Sequence, residues 1–465
     1  MENRKLKKIA LIRPKYNTHI ITPPLGLGYI SSYLKSRGHQ VLLIDALNKG
    51  LSNDELLKIL NKEGIETVGI TCLTAFSREV FELSKLLKEN NIKVIIGGIH
   101  STFLPYQTLV ESKADMVICG EGEIAFSQIL ESDFNISGIK GVYSLEKLDD
   151  ENSPYENADI IENLDELPFP DWEQINPHTY PQATHGFFAK NFPVGFVTST
   201  RGCPYSCKFC ASPGFYKKKI RFRSPKNVVD EIKYLLNEIK VKEIHFEDDN
   251  LTYDKNHAME ICRLIIESGI KINWGCPNGI RADKVDDELI KQMKKSGCYF
   301  FFYGVESANN TILRNIQKGE KSEDILKSIA LAKQNGMTCN GFFLFGLPGE
   351  TKETIQESID FAVKSKLDFA QFIILDVLPG SQLWIDLAGK FKPNFDKESY
   401  REPEWLPEGL NYQDLIAAQK TAFRRFYLRP KTFFSFIKAL KPKQIGFLMK
   451  RLFAYRLLDL FKIKK

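Results

Sequence analysis

The hydrophobic and polar positions of this chain follow two long α/β patterns. Between residues 5 and 131, short apolar runs alternate with amphipathic stretches of helical spacing. The apolar runs lie at residues 9–12, 41–45, 68–71, 94–98 and 116–119. Such runs, separated by helical patterns, are typical of buried parallel strands. The first pattern therefore predicts a doubly wound, Rossmann-like sheet, whose ligands bind at the carboxyl ends of its strands.

A second alternation, from residue 194 to about 380, contains six strand-and-helix units. Six such units predict a partial, TIM-like (β/α)6 barrel, with its chemistry at the carboxyl ends of the strands. Residues 139–148, before the second pattern, are expected to form a short hairpin. We predict four regions: an N-terminal domain at 1–148, a polar, proline-rich surface linker at 149–190, the barrel at 191–385 and a helical basic region at 386–465.

The composition is typical of an intracellular globular protein. The chain has 465 residues, of which 43% are hydrophobic, and nine cysteines without disulfide-like spacing. We therefore expect reduced thiols and a cytoplasmic, anaerobic protein. The charged residues 1–8 lead directly into a predicted strand, and no run of 18 apolar residues occurs, so neither a signal peptide nor a membrane span is expected.

The net charge of +6 is unevenly distributed. Residues 424–465 contain thirteen Lys or Arg and one acid, Asp459, so this tail carries +12 and the rest of the chain −6. A basic amphipathic helix with aromatic side chains is typical of a helix on an anionic membrane, which predicts peripheral contact with the inner membrane surface. The alternative is a helical cap over the open barrel edge. No nucleic-acid-binding motif occurs. The aromatic residues in and directly before this region include Phe423, Phe426, Tyr427, Phe433, Phe434, Phe436, Phe447, Phe453 and Phe461.

Cys203, Cys207 and Cys210 form a C-x3-C-x2-C motif with an aromatic residue before the last cysteine. Three closely spaced thiolates can bind three irons of a 4Fe-4S cluster and leave the fourth iron open to another ligand. A structural zinc site needs four ligands, and no His or further Cys lies within ten residues of the motif. Structural cysteines are the remaining alternative, although a loop with Gly and Pro places thiols poorly for packing.

This motif resembles that of the radical S-adenosylmethionine (SAM) superfamily. In that family the open iron binds SAM, and an electron cleaves SAM to a 5'-deoxyadenosyl radical. The resemblance implies that polar residues and glycines at the carboxyl ends of the barrel strands bind SAM. The candidates are Asp248, Asp249, Asn250, Arg281, Glu306, Lys318, Gly346 and Gly349.

Several of these candidates also have a structural alternative. Residues 248–250 either accept hydrogen bonds from the SAM ammonium or cap a helix N-terminus. Glu306 contacts the ribose or the ammonium, or forms a surface salt bridge. Lys318 binds the SAM carboxylate, or is a solvated lysine at a helix end. Arg281 belongs to SAM or to the substrate, and the two glycines let a strand end approach adenine.

The N-terminal pattern resembles the cobalamin-binding domain of cobalamin-dependent radical SAM enzymes. The resemblance rests on Pro23-Pro-Leu-Gly before a helix, followed by Gly97-Gly-x-His100 and Gly120-Glu-Gly-Glu123. It implies a cobalamin site at the strand ends. The candidate residues are Thr71, Thr74, Gly97, Gly98, His100, Gly120, Glu121 and Gly122.

The usual cobalt-binding histidine motif is missing. Classical cobalamin enzymes use D-x-H-x-x-G after the first strand, whereas here Asp45-Ala-Leu-Asn-Lys-Gly has Leu47 at the His position and follows the second strand. The resemblance therefore implies cobalamin bound base-off without a protein imidazole. His19 lies in the appropriate loop without the flanking pattern, and His100 is expected to line a turn near the cofactor.

Together these features predict an enzyme that uses a 4Fe-4S cluster, SAM and cobalamin, and the resemblance implies methylation of an unactivated carbon of a small molecule or lipid. Cyclisation, oxidation and carbon–carbon coupling on the same domain pair are alternatives. A cobalamin- or redox-sensing protein is a remote one, and it would release no deoxyadenosine. The expected partner is an electron donor such as flavodoxin or ferredoxin. No catalytic side chain is identified.

Overall fold

The computed structural model describes residues 6–18, 20–183, 185, 189–395 and 403–430. The chain forms two compact units. Unit 1 extends to Pro181 and includes Phe395, and unit 2 contains Gln182–Asn394 and the described residues from 403 onward. Strands and helices are numbered β1–β14 and α1–α16 in chain order.

Unit 1 is built on a six-stranded sheet in the order β2-β1-β3-β4-β5-β6, parallel except for β6. The order reverses direction between β1 and β3, which opens a crevice at the carboxyl ends of the strands. This confirms the predicted doubly wound sheet. Its strands are β1 (Lys8–Arg13), β2 (Gln40–Asp45), β3 (Thr67–Thr71), β4 (Lys93–Gly97), β5 (Met116–Ile118) and β6 (Val142–Tyr143). Its helices are α1 (Leu25–Ser36), α2 (Ala46–Lys49), α3 (Asn53–Glu63), α4 (Ser77–Glu89), α5 (Ile99–Phe103), α6 (Pro105–Ser112) and α7 (Glu123–Glu131).

Two local expectations for unit 1 are corrected. Residues 139–148 do not form a hairpin, because their one short strand, β6, pairs antiparallel with β5 instead. The segment expected as a surface linker packs into the unit. Leu164 and Leu167 join a buried cluster with Tyr29 and Tyr33 of α1, and Trp172 is only 1% exposed. Apolar residues in the proline-rich segment thus cover one face of α1.

Unit 2 contains a six-stranded parallel sheet in the order β14-β13-β12-β11-β10-β7, as predicted for a partial (β/α)6 barrel, and a separate antiparallel pair of short strands, β8 and β9. Its strands are β7 (Val194–Val197), β8 (Thr200–Arg201), β9 (Arg221–Phe222), β10 (Glu243–Phe246), β11 (Asn273–Ile280), β12 (Cys298–Glu306), β13 (Thr338–Phe345) and β14 (Phe369–Ile374). Its helices are α8 (Ser212–Phe215), α9 (Pro225–Asn237), α10 (Lys255–Glu267), α11 (Asp287–Lys295), α12 (Asn310–Asn315), α13 (Ser322–Gln334), α14 (Lys352–Lys364), α15 (Gln382–Asp386) and α16 (Tyr412–Tyr427).

Helix α16 covers the free edge of the barrel sheet. Phe426 is fully buried, and the rings of Phe423 and Phe426 contact Phe372 of β14. At these positions the helical cap is the correct interpretation, since the aromatic rings face the sheet. The rest of the predicted membrane-binding tail, residues 431–465, lies outside the described residues. No helix in the described part of the chain is long and apolar enough to cross a membrane.

Candidate functional site

The three motif cysteines lie on the loop between β8 and α8, at the carboxyl end of the barrel. Cys203, Cys207 and Cys210 are partly exposed free thiols, whereas the other six cysteines are buried. Burial raises the pKa of all three thiols, that of Cys210 to about 12, so iron would have to displace their protons on binding. Solvent access thus distinguishes the three predicted ligands from the other cysteines.

The number of motif cysteines matches the three irons of a 4Fe-4S cluster that need a protein ligand. Among the residues that the structure describes, no three His, Cys, Asp or Glu side chains converge closely enough to bind one ion. A zinc site would require such convergence, whereas three cysteines of a 4Fe-4S cluster bind three separate irons.

The cluster loop is fixed by neighbouring elements at several points. The carboxylate of Asp248 accepts hydrogen bonds from the Ser199 amide, from Ser199 Oγ (2.7 Å) and from Thr200 Oγ1 (2.7 Å). At the other end, the Lys208 amide donates to Ile316 O at 2.9 Å. Asp248 is thus occupied in bracing the chain before Cys203.

Residues Asp249 and Asn250, predicted together with Asp248, occupy different environments. Asp249 is exposed and accepts a hydrogen bond from Ser212 Oγ at 2.6 Å. Desolvation of its carboxylate by the surrounding protein raises its pKa, although this hydrogen bond lowers it. Asn250 is buried, and its Nδ2 has no hydrogen-bond partner among the described residues. Neither residue caps α10, whose N-cap is Asp254. The helix-capping alternative is therefore wrong.

Glu306 and Lys318 meet in a buried ion pair beside the cluster loop. Lys318 Nζ lies 3.3 Å from Glu306 Oε1 and 3.6 Å from Glu320 Oε2. Both predicted residues are less than 10% exposed, so neither the surface salt bridge nor the solvated lysine is correct. Burial raises the pKa of Glu306 although Lys318 lowers it, and the charges of Glu306 and Glu320 raise the pKa of Lys318 despite burial. The pair supplies a cation and an anion to one enclosed site.

Arg281 is held by several neighbours. Its guanidinium donates to both carboxylate oxygens of Asp283 and to Lys318 O at 2.6 Å, and it lies over the ring of Tyr205 at 3.8 Å. Tyr205 belongs to the cluster loop. Arg281 therefore links this loop to Lys318. Most of its hydrogen-bond donors are satisfied by these contacts within the protein.

Gly346 and Gly349 both adopt positive φ, at 93° and 81°. The amides of Gly346 and Leu347 donate to Glu350 Oε2 at 2.7 and 3.0 Å, which fixes the turn after β13. Sequence reasoning missed Glu350, although it follows the predicted Gly-Leu-Pro-Gly directly. Burial raises its pKa to about 8 although the two amides lower it, and its Oε1 has no partner among the described residues.

An acid–base row on β10 was also missed. Glu243, His245 and Glu247 occupy alternate positions, so their side chains share one face of the strand. His245 Nε2 lies 3.0 Å from Glu243 Oε1, and Tyr299 donates to the same oxygen at 2.6 Å. Glu247 Oε1 lies 2.9 Å from His185 Nε2. The sequence signal was a strand that is polar at every second position.

This row faces the interior of the barrel. The His245 ring contacts Phe196 of β7 and Phe300 of β12, and its Nδ1 lacks a partner among the described residues. Glu247, at the carboxyl end of β10, combines partial exposure with a lowered pKa, because His185 and Asn278 outweigh the effect of burial. A carboxylate and an imidazole are thus available where barrel chemistry occurs.

The predicted cobalamin residues of unit 1 cluster at the carboxyl ends of β3, β4 and β5. Gly98 has φ 114°, and a Cβ there would lie 2.5 Å from Cys72 O, so only glycine fits. The Gly120 amide donates to Thr102 Oγ1 at 2.8 Å. The remaining candidates on the same edge are Thr71, Thr74, Gly97, Glu121 and Gly122.

His100 has no ring nitrogen available for cobalt. Its Nδ1 lies 3.2 Å from Thr74 Oγ1 and its Nε2 lies 3.0 Å from Gln107 Oε1. Burial lowers the pKa of His100 to about 4, although Gln107 raises it, so the ring is neutral at physiological pH. This arrangement agrees with an imidazole that lines a turn, while His19 lies outside the described residues.

The strand-end edge of unit 1 also fits a large, partly apolar cofactor. Leu73 and Ile99 follow the adjacent strands β3 and β4 and are 40% and 36% exposed. Next to them, a Cβ at Gly97 would meet only Ile118, at 3.9 Å. Exposed apolar side chains beside open backbone suit the flat face of a macrocycle such as cobalamin.

Comparisons with known proteins identify both domains. The radical SAM superfamily model matches residues 197–362, and the B12 binding domain model matches residues 17–130. An uncharacterised methyltransferase of Pyrococcus horikoshii is 32% identical over 96% of this chain and 97% of its own length. The cytidylyl-2-hydroxyethylphosphonate methyltransferase of Streptomyces wedmorensis is 30% identical over 82% of each chain.

The fold also matches a solved structure. The radical SAM methyltransferase TsrM from Kitasatospora setae superimposes with a TM-score of 0.71 at 16% identity, over 94% of this chain and 90% of that one. The two domain models confirm the predicted cofactors, SAM with a 4Fe-4S cluster and cobalamin. The chain belongs to the cobalamin-dependent radical SAM methyltransferase family.

Proposed function

We propose that this enzyme methylates an unactivated carbon of a small-molecule or lipid substrate. The observation that carries the proposal is the set of three partly exposed thiols at the carboxyl end of the barrel, beside a buried Glu306–Lys318 pair. When bound, the cluster and SAM supply a 5'-deoxyadenosyl radical, and cobalamin supplies a methyl group. The protein's own residues bind and orient the cofactors and the substrate, and they exclude water from the site.

The buried ion pair suits the amino-acid end of SAM. An ammonium needs a carboxylate partner, and a carboxylate needs a cation, and Glu306 and Lys318 provide both in a site with little water. Because Arg281 is held by Asp283 and Tyr205, we assign it to positioning the cluster loop. Asp248 has the same positioning role through Ser199 and Thr200.

We assign the acid–base row of β10 to binding of the substrate. Glu247 and His185 face each other at 2.9 Å, yet Glu247 Oε1 and His185 Nε2 lack a well-aligned hydrogen bond. A carboxylate oxygen without an aligned donor can accept a hydrogen bond from a ligand. We infer that the substrate carries a hydroxyl or amine that donates to Glu247, with its apolar part against the aromatic rings of the barrel.

The cluster assignment is tested with single substitutions in the full-length protein. Anaerobic reconstitution should give about four irons per chain, and Cys203→Ala, Cys207→Ala and Cys210→Ala should each lose the cluster and deoxyadenosine release while staying folded. Cys276→Ala, at a buried cysteine of β11, is the control and should keep both. Full deoxyadenosine release in any of the three motif variants would refute the proposal.

A further inference from the structure

Strand β13 carries a fully buried side-chain amide that makes no hydrogen bond within the described residues. Asn340 is 0% exposed, and neither its Oδ1 nor its Nδ2 has a partner in this part of the chain. Burial of an unpaired amide is unfavourable, because both atoms lose their hydrogen bonds to water. Such a group calls for a ligand or an ordered water that completes it.

The alternation of side chains along β13 directs Asn340 into the barrel. Phe343 stacks on Phe372 of β14, whose ring contacts α16, so this face of β13 packs toward the helices. Asn340 and Phe342 occupy the opposite face. There the Phe342 ring stacks on Phe302 of β12, with 4.6 Å between the ring centres. Asn340 therefore shares the barrel interior with an aromatic stack.

Aromatic rings connect Asn340 with the acid–base row of β10. Asn340 lies beside Phe302 in the register of β13 and β12. The ring of Phe302 lies 6.4 Å from that of Phe300, which in turn lies 5.2 Å from the ring of His245. His245 Nδ1 is also buried without a partner among the described residues. Unpaired polar groups thus lie at both ends of one apolar, aromatic surface.

The side chain of Asn340 defines the kind of group that can pair with it. A carboxamide has an acceptor oxygen and a donor nitrogen side by side in one plane. A ligand that satisfies both atoms at once presents a donor next to an acceptor, as another carboxamide or a lactam does. A ketone or an ionised carboxylate has no donor and would leave Oδ1 unpaired. The neighbouring aromatic rings suit a planar group of this kind.

We infer that Asn340 is a specificity-determining residue that binds a carboxamide or lactam group of the substrate inside the barrel. This inference rests on the proposed function, because it names the chemical class of the substrate to be methylated. A site built to make both hydrogen bonds rejects an analogue without the donor, since that analogue leaves a buried oxygen unpaired. Ordered water is the competing occupant, and the experiment separates the two.

The test uses the full-length protein and two probes of similar size. Benzamide presents a carboxamide on an aromatic ring, and acetophenone has a methyl group in place of the NH2. Binding of each probe is measured by ligand-observed NMR titration. The variant is Asn340→Leu, whose side chain has a similar shape and no polar atom. The control is Asn335→Leu at the end of α13, where Nδ2 donates to Asp287 Oδ1 and to Leu331 O, each at 3.0 Å.

Wild type should bind benzamide about tenfold more tightly than acetophenone, and Asn340→Leu should lose this preference. Asn340→Leu should also raise the midpoint of thermal unfolding measured without probe, because it removes an unpaired buried amide. Asn335→Leu should lower the midpoint and keep the preference for benzamide.

Equal affinity of wild type for the two probes would overturn the inference and leave water as the occupant. A lowered midpoint in Asn340→Leu would also overturn it, because the amide would then stabilise the fold. Neither measurement requires catalysis, so the cysteine variants judge the proposed function separately.

Discussion

Single residues at the barrel rim are held in conformations that their side chains do not favour. Glu306 has φ 60°, which is rare for a residue other than glycine. A Cβ at Gly304 would lie 2.6 Å from Glu306 Oε1 and 2.8 Å from Lys318 Nζ. The glycine therefore leaves the space that the ion pair occupies. Backbone strain of this kind persists where the surrounding structure requires it, and it is common at functional sites.

Ionisation of Glu350 should make the stability of the folded protein depend on pH. Its pKa in the folded protein is about 8, above its ordinary value of 4.5, so the folded state retains a proton that the unfolded state loses. Stability should therefore fall as the pH rises from 4.5 to 8, by up to about 1.4 kcal/mol per pH unit, and level off above that range. Glu350→Gln resembles the protonated form and should remove this contribution.

The measurement is chemical unfolding of wild type and Glu350→Gln between pH 5 and 9. The variant should equal wild type near pH 5 and be the more stable protein at pH 8. Glu353→Gln, at an exposed position on α14, is the matched control. If both variants follow the wild-type curve, Glu350 ionises normally in the folded state.

At the scale of elements, α16 completes the edge strand β14. Tyr427 Oη donates to Ala370 O at 2.7 Å and accepts from the Ala370 amide at 3.2 Å, while Gln419 Nε2 donates to Phe372 O at 2.8 Å. Side chains thus satisfy backbone groups that a further strand would otherwise pair. This protects the sheet edge from pairing with another chain.

Tyr427→Phe should destabilise unit 2 by about 1 to 3 kcal/mol, because it leaves two partly buried backbone groups of Ala370 without partners. Thermal unfolding measures the effect. Tyr253→Phe is the control, since the Tyr253 hydroxyl makes no hydrogen bond with the described residues, and it should be close to neutral. Equal stability of the two variants would show that packing of the α16 rings alone covers the edge.

The basic segment that follows α16 in the sequence lies outside the described residues, and its membrane binding stays a prediction. Residues 431–465 contain ten Lys or Arg and one acid, a net charge of +9. Each cation near an anionic surface contributes about 1 kcal/mol, and salt weakens the attraction. The full chain should therefore bind anionic vesicles at low salt and release them at high salt.

Deletion of residues 431–465 should abolish vesicle binding in a sedimentation assay, while iron and cobalamin remain bound. Neutral vesicles are the control for non-specific adsorption. If the truncated protein unfolds, or if the intact protein does not bind anionic vesicles, the membrane interpretation and the lipid substrate inferred from it should both be abandoned.

At the scale of the whole molecule, each unit presents the carboxyl ends of its own parallel sheet. In unit 1 these ends carry glycines and a neutral His100, and in unit 2 they carry thiols and buried ion pairs. Parallel sheets concentrate chemistry at this edge, because loops and helix N-termini converge there. The candidate residues for the two cofactors therefore lie in separate units.

This separation predicts independent loading. Gly98→Val should weaken cobalamin binding more than about tenfold, because the new side chain meets Cys72 O and disfavours a φ of 114°, yet the protein should retain about four irons. Cys203→Ala should show the reverse. Absorbance spectra and iron analysis of the purified proteins give both quantities, and loss of both cofactors in either variant would contradict independence.

The sequence by itself determined the fold class and the cluster motif. Alternating strand and helix periods specify parallel sheets, because burial on two faces requires continuous apolar strands. The cysteine ligands lie within eight consecutive residues, so their spacing alone indicates iron–sulfur chemistry. The glycines at the strand ends of unit 1 were likewise recognisable from short stretches of sequence. Positive φ at Gly98 and Gly120 agrees with their use in tight turns.

Only the tertiary structure decided which distant side chains meet. Nothing local relates His185 to Glu247, or Arg281 to Tyr205, because these pairs depend on how separate strands and loops are arranged. The same reason explains why Asp248 braces the cluster loop, and why the rings of α16 face a sheet edge. Periodicity shows that a side chain is on one face of an element, but the identity of the partner on that face comes from long-range packing.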